Sequence, residues 1–189
     1  MKGYEKLRQE IREWFKPFYE GEDLAHTIEH ADEVCDLALR INTEKFDEVY
    51  ESKHIMIAAY AHDMFTQSNR KLHHELAHDY IALTNDPIIE ELSDPERMTI
   101  AFAVLEHRAS HKGKLTSQMS QIISAADRGV PDLDNIIDRS MKFNNGDYKQ
   151  VVEHIKNKYG KEGYVKYSDF YQEMFKKEIQ ILQEGIEEL

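Results

Sequence analysis

A single cysteine, Cys35, stands in this chain of 189 residues, so no intramolecular disulfide can form. That excludes a small disulfide-stapled scaffold and makes a reducing compartment the expectation, with Cys35 an inert packed thiol. Eight glycines and four prolines are too few to punctuate a chain of many short strands, and strand-like alternation is scarce. No stretch approaches the roughly 18 apolar residues of a membrane-spanning helix. The polar, charged N-terminus lacks the apolar core of a signal peptide. Basic runs are absent too: Lys and Arg number 24 against 36 Asp and Glu, for a formal net charge of −12. Such a chain is ill-suited to grip a nucleic-acid backbone, and no nucleic-acid polymer is expected as partner. What is there, 41% hydrophobic and 32% charged residues, is the balance of a globular rather than a disordered protein. A cytoplasmic protein without a membrane partner is the expectation.

Helical periodicity organises most of the sequence. Tyr4 to Tyr19 reads as an amphipathic helix with Leu7, Ile11, Trp14 and Phe15 inward, ended or bent by Pro17. Asp23 is placed to cap a second helix running to about Ile41, on which His30, Val34, Leu37 and Ile41 share a stripe and His26 lies one turn before His30. Asn42-Thr43 reads as a turn, and a third helix spans about Phe46 to Phe65. Thr66 to Asn69 reads as a polar loop, followed by a helix from Lys71 to Thr84 carrying His73, His74 and His78. Ser93-x-x-Glu96 with Pro95 is a capping box opening a helix to His107-Arg108. A helix with Met119, Ile122, Ile123 and Ala126 inward ends at Asp127-Arg128-Gly129. Two or three more helices follow, around a hinge at Gly160 and Gly163; the last, Asp169 to Leu189, is expected to pack on the chain's own core. The fold class is all-α: a single-domain helical bundle over residues 1–189, with a core of about 20–130 and a helical extension over 131–189.

The stretch at the centre of this pattern is Tyr60-Ala61-His62-Asp63-Met64-Phe65. It closes an apolar run in which Ile55, Ala58, Ala59 and His62 fall on one stripe. A carboxylate aimed at an apolar interior costs several kcal/mol unless it is paired or bound to a cation. One His-Asp pair is weak evidence, and His78-Asp79 is a second on a more polar stretch. His30 and Asp127, however, also sit at apolar helix faces or ends. Two imidazoles and two carboxylates suit a divalent transition ion or Mg²⁺, whereas a soft metal calls for thiolates.

The ordered pattern His30 … His62-Asp63 … Asp127 resembles the HD superfamily of metal-dependent phosphohydrolases. The flanking residues agree: His26-x-x-x-His30-x-x-x-Val34, Ala58-Ala59-Tyr60-Ala61-His62-Asp63 and Ser124-Ala125-Ala126-Asp127-Arg128 are similar to the family's ligand segments. The resemblance implies a helical bundle in which His30, His62, Asp63 and Asp127 hold one divalent metal ion (Mn, Mg, Fe, Co or Ni). It implies hydrolysis of a nucleotide or other small phosphate ester by metal-bound hydroxide. Some nucleotidase branches carry a glutamate shortly after the HD pair; here Met64-Phe65-Thr66-Gln67 follows, with no acid until Glu75. The general base is then unassigned: metal-bound hydroxide alone is one candidate, and His26, one turn from His30, is a second. His74 and His107 occur where binuclear members supply extra ligands, so a second metal is possible through them. The preferred reading is that His74, His107, Arg108 and Lys112 form a phosphate-facing wall opposite the metal, with Arg108 gripping bidentately. His73, His78, His111 and His154 read as surface residues. The rival class is a regulatory module that binds metal or nucleotide without turnover. A monomer or a homodimer fits either.

Overall fold

The computed structural model describes residues 2–143 and 146–189, and every regular element among them is helical. The chain divides into two compact units, 1–127 and 128–189.

In the first unit α1 (Lys2–Phe15) runs into a 3-10 turn (Lys16–Tyr19) where Pro17 removes a backbone donor. Then follow α2 (Ile28–Phe46), α3 (Ser52–Ala61), the single turn α4 (Thr66–Asn69), α5 (His73–Leu83), the single turn α6 (Pro87–Glu90), α7 (Asp94–Glu106) and α8 (Gln118–Arg128). The middle helix is α3, which packs against α1, α2 and α7, while α7 also packs against α5. Burial follows from that position. Every residue from His54 to Ala61 is buried, so α3 carries an apolar surface all round rather than a single stripe. Ile11 and Phe15 of α1, Val34 and Ile41 of α2, and Ile100 and Val104 of α7 close the core around it. Fully burying each such side chain contributes about 1.5–3 kcal/mol.

The structure corrects four local expectations. Asp23 does not cap α2, which begins at Ile28; its carboxylate instead accepts from the Ala25 amide (3.0 Å) and organises the preceding loop. Asn42 is no turn residue. It lies buried inside α2, and its amide donates to the Tyr50 carbonyl (2.9 Å), pinning the α2–α3 connection. The reversal comes instead at Asp47 and Glu48, both with positive φ (53° and 55°), a conformation acidic and amide side chains tolerate better than most. Third, α3 stops at Ala61, and His62 and Asp63 occupy the turn after it. Fourth, Thr66–Asn69 is a helical turn; the Thr66 hydroxyl donates to the Asp63 carbonyl (2.8 Å).

The capping box is present as the spacing predicts. The Ser93 amide and hydroxyl reach Glu96 Oε2 at 2.8 and 2.6 Å. Ser93→Ala is expected to lower stability by about 1 kcal/mol, read as a shift of the denaturation midpoint at unchanged slope.

The second unit holds α9 (Leu133–Phe143), α10 (Tyr148–Tyr159), α11 (Asp169–Met174) and α12 (Lys176–Glu188). Val151, Ile155, Leu182 and Ile186 form its core, with Leu133, Ile136, Ile137 and Met141 packed against them. The expected single terminal helix is broken at Phe175, whose backbone (φ −119°, ψ 31°) leaves the helical region. At Gly185 a Cβ would come 2.6 Å from Leu133 Cδ2, so a larger residue there would make the Leu133 side chain shift where α12 meets α9. No helix among the described residues is long and apolar enough to cross a membrane.

Candidate metal centre

The last carbonyls of an α-helix have no partner within the helix. Two helices of the first unit end on a histidine that takes one of them. His62, just past α3, places Nδ1 2.6 Å from the Ala59 oxygen. His107, just past α7, places Nδ1 2.6 Å from the Val104 oxygen. His73, opening α5, does the same to Arg70 at the end of α4 (2.8 Å). In all three the acceptor lies three residues earlier. A carbonyl can only accept, so each Nδ1 carries the proton and each Nε2 is left for another proton or a metal. Imidazoles oriented through the far nitrogen in this way are typical of metal ligands.

All three Nε2 atoms converge on Asp63, which is buried. Its Oδ2 lies 3.2 Å from His62 Nε2 and 3.9 Å from His30 Nε2. Its Oδ1 lies 3.2 Å from His73 Nε2 and 3.5 Å from His107 Nε2. Asp127, from α8, brings Oδ1 within 3.2 Å of His30 Nε2 and 3.6 Å of His62 Nε2. Two groups result, sharing Asp63: His30, His62, Asp63 and Asp127 on one side, and Asp63, His73 and His107 on the other. Within each group the ligand atoms all lie within 4.8 Å of one another.

Whether a metal fits can be tested on the donors themselves. Bonds of about 2.1 Å put adjacent ligands of one ion roughly 3 Å apart, close to the observed 3.2–3.9 Å spacings. His62 Nε2 is fully buried and has no hydrogen bond, although it faces two carboxylates. In the second group His73 Nε2 and His107 Nε2 stand 3.3 Å apart, both facing Asp63 Oδ1. An ion between such donors satisfies all of them. The cluster can hold a metal, and its nitrogen and oxygen donors suit a divalent ion of intermediate or hard character.

The electrostatics agree. Burial alone would push the His62 imidazolium down, but Asp63 and Asp127 outweigh it and hold its pKa up to about 10. Burial would likewise raise both carboxyls, yet the imidazoles beside them keep Asp63 and Asp127 well below the usual range. His107 is lowered by burial, which its contact with Asp63 only partly offsets.

The surroundings fix these elements. The Tyr19 hydroxyl, fully buried, donates to the Tyr60 carbonyl (2.8 Å) at the end of α3. Gln67 Nε2 donates to the carbonyls of Asp23 (3.0 Å) and His26 (3.1 Å), tying the loop before α2 to α4. In that loop His26 Nδ1 pairs with Asp23 Oδ2 (3.0 Å), which also accepts from Arg70 (2.6 Å). The His26 ring lies 6.3 Å from that of His30. In the stretch after Asp63, Thr66 and Gln67 thus hold backbone.

His30, His62, Asp63 and Asp127 come together as the sequence suggests, and His107 joins them. Two expectations are corrected. His73 is buried in the centre, not on the surface, and His74 is not a ligand: its ring turns outward, with Nδ1 3.5 Å from Arg108. Helical register explains it, because His73, Ala77 and Ile81 form the buried stripe of α5 and a neighbouring residue points about 100° away. That i, i+4, i+8 stripe was the signal available in the sequence. Arg108 also donates to the Lys71 carbonyl (3.3 Å), at the rim rather than in the centre. Glu106, unremarked in the sequence, is buried and accepts from the Thr116 amide and hydroxyl (3.0 Å each), closing the 107–116 loop at its base. His78 and His154 are partly exposed and His111 is exposed. No family model, curated protein or solved structure matches the chain.

Proposed function

We propose that this protein is a divalent-metal phosphohydrolase of the HD type, acting on a nucleotide or another small phosphate ester. The observation that carries the reading is Asp63, a buried carboxylate whose two oxygens each face two imidazole nitrogens. A bound divalent ion would polarise the phosphoryl group and lower the pKa of water. In this reading His30, His62, Asp63 and Asp127 hold one ion, and Asp63, His73 and His107 hold a second. His107 is then a ligand rather than part of a phosphate-facing wall. Proton transfer falls to His26, whose ring lies 6.3 Å from that of His30 and which Asp23 holds in place through Nδ1. Arg108 lies on the rim as a planar donor for an anionic substrate.

Two outcomes separate the enzyme from its rival. Phosphate release from nucleotides and simple esters is measured after metal removal, then with Mg²⁺, Mn²⁺, Co²⁺ or Ni²⁺ added singly. Metal-dependent release that disappears in folded Asp63→Ala supports the hydrolase. Stoichiometric metal without release under any ion favours a binding module, a reading that the absence of any acid between Asp63 and Glu75 keeps in play.

The two histidines of α5 provide a sharper contrast. His73→Ala is expected to reduce bound metal from two equivalents to one and to lower turnover by at least tenfold. His74→Ala is expected to leave two. Equal stoichiometry in the two variants, by titration on folded protein, would remove His73 from the ligand set.

A further inference from the structure

Although the chain is strongly acidic, no Asp or Glu occurs between His107 and Ala126. The loop that opens this stretch carries Arg108, His111, Lys112 and Lys114, and it meets the end of α4 through the bond from Arg108 to the Lys71 carbonyl. Most of the other arginines of the first unit are paired: Arg8 with Asp36, Arg12 with Asp32, Arg40 with Glu44, Arg70 with Asp23. Arg108 has no carboxylate partner among the described residues. It is half-buried, its neighbours being the Lys71 carbonyl and the His74 ring, themselves next to His73. Lys71, Lys112 and Lys114 are exposed and likewise form no ion pair among the described residues. Glu75 lies 3.8 Å from His74 Nε2, the ring nitrogen opposite the one that meets Arg108.

The placement of this charge matters more than its amount. Arg108 stands one imidazole ring outward from the buried centre: its guanidinium meets His74, whose ring centroid is 5.3 Å from that of His73. With a phosphoryl group seated at Asp63, Arg108 on the rim would be the cation available to whatever is attached to it, and the exposed Lys71, whose carbonyl Arg108 bonds, brings a second positive charge to the same rim. A monoester offers a neutral sugar or alcohol there, which satisfies neither cation. A second phosphate joined to the first offers further anionic oxygens, and the guanidinium fork matches their spacing. We propose that the substrate carries two or more linked phosphates, the outer one held by Arg108 with Lys71 and the 111–114 loop. This rests on the hydrolase reading above, and it narrows the substrate from phosphate esters at large to diphosphates and longer chains. The loop is suited to holding that outer phosphate, because Glu106 clamps its base through Thr116 while its tip stays exposed.

The rim can be tested without the centre, since its contacts are side chains. Inorganic pyrophosphate and orthophosphate are titrated calorimetrically into the whole, metal-free chain at matched ionic strength. Pyrophosphate is expected to bind at least tenfold more tightly. Arg108→Gln is expected to lose at least tenfold of the pyrophosphate affinity and Lys71→Gln a few-fold, while Arg108→Lys retains part. Lys6→Gln, on the exposed face of α1, controls for charge alone and should match wild type. Equal affinity for the two anions, or an Arg108→Gln that binds pyrophosphate like wild type, overturns the proposal. Failure of the hydrolase reading looks different: no ester is cleaved under any metal, whatever the rim binds.

Discussion

Asp63→Asn is expected to strip metal from both groups at once. The substitution keeps the shape of the side chain and removes its charge, and the charge is what both groups share. Binding of one ion by four protein ligands is worth roughly 10–16 kcal/mol, about 3 kcal/mol per ligand, so the loss is on the order of 10²-fold in affinity at each position. Turnover that needs both should fall by at least 10³-fold. His30→Ala, which touches only the first group, should weaken one ion and leave the other. The measurement is metal stoichiometry and affinity on folded protein, with helical content checked in parallel. A variant that still binds two equivalents would show that Asp63 does not bridge.

The second large effect is on pH. In the metal-free chain His62 Nε2 sits between two carboxylates that hold its pKa up to about 10 against the burial that would lower it. A metal must displace that proton. Its apparent affinity should therefore rise close to tenfold per pH unit between pH 6 and 8, with about one proton released per ion at the first group. Calorimetry in buffers of different ionisation enthalpy counts the proton directly. The same groups set the stability of the metal-free protein, and the signs differ. His62, raised from 6.5, contributes fully below pH 6.5 and loses its contribution as pH climbs toward 10. Asp63 and Asp127, lowered from 3.8, contribute above that value and lose their contribution in acid. His107, lowered by burial, subtracts as pH drops below 6.5, because the unfolded chain takes up a proton there that the folded chain resists. From these four groups metal-free stability peaks near pH 6.5 and falls on either side. Saturating metal should lift the alkaline side most, since the ion then replaces the proton. A metal-free protein equally stable at pH 6.5 and 9.5 would show that His62 carries no such proton.

Much of this was legible in the sequence because it depends on local pattern. The all-helical class, the Ser93 cap, the buried face of α8 and the order His30, His62-Asp63, Asp127 all follow from periodicity and residue type over short spans. What failed depended on longer range. Asn42 looks like a turn residue and becomes a buried one because Tyr50 returns to meet its amide. His73 and His74 are indistinguishable by type, and one residue of register decides which joins the buried cluster. That register was available in Ala77 and Ile81, but a polar His-His-Glu run conceals it. Glu106 and Tyr19 act through partners ten and forty-one residues away, which spacing cannot reveal. The break at Phe175 leaves the apolar periodicity of Tyr171, Leu182 and Ile186 intact, so a pattern reading runs straight through it.

The backbone carbonyls behind His62, His73 and His107 have a consequence for genetics. A carboxylate that orients a ligand can be deleted by mutation and betrays itself in a substitution scan; a carbonyl cannot. Saturation mutagenesis around this centre should find the six inward side chains intolerant for their own chemistry, whereas replacements at Ala59, Val104 and Arg70 act through core packing or the Asp23 ion pair and leave the carbonyls in place. The orienting partners are inherited with the peptide bond itself. Replacing the amide after Ala59 or Val104 by an ester, which weakens the carbonyl as an acceptor without altering any side chain, is the change that reaches them.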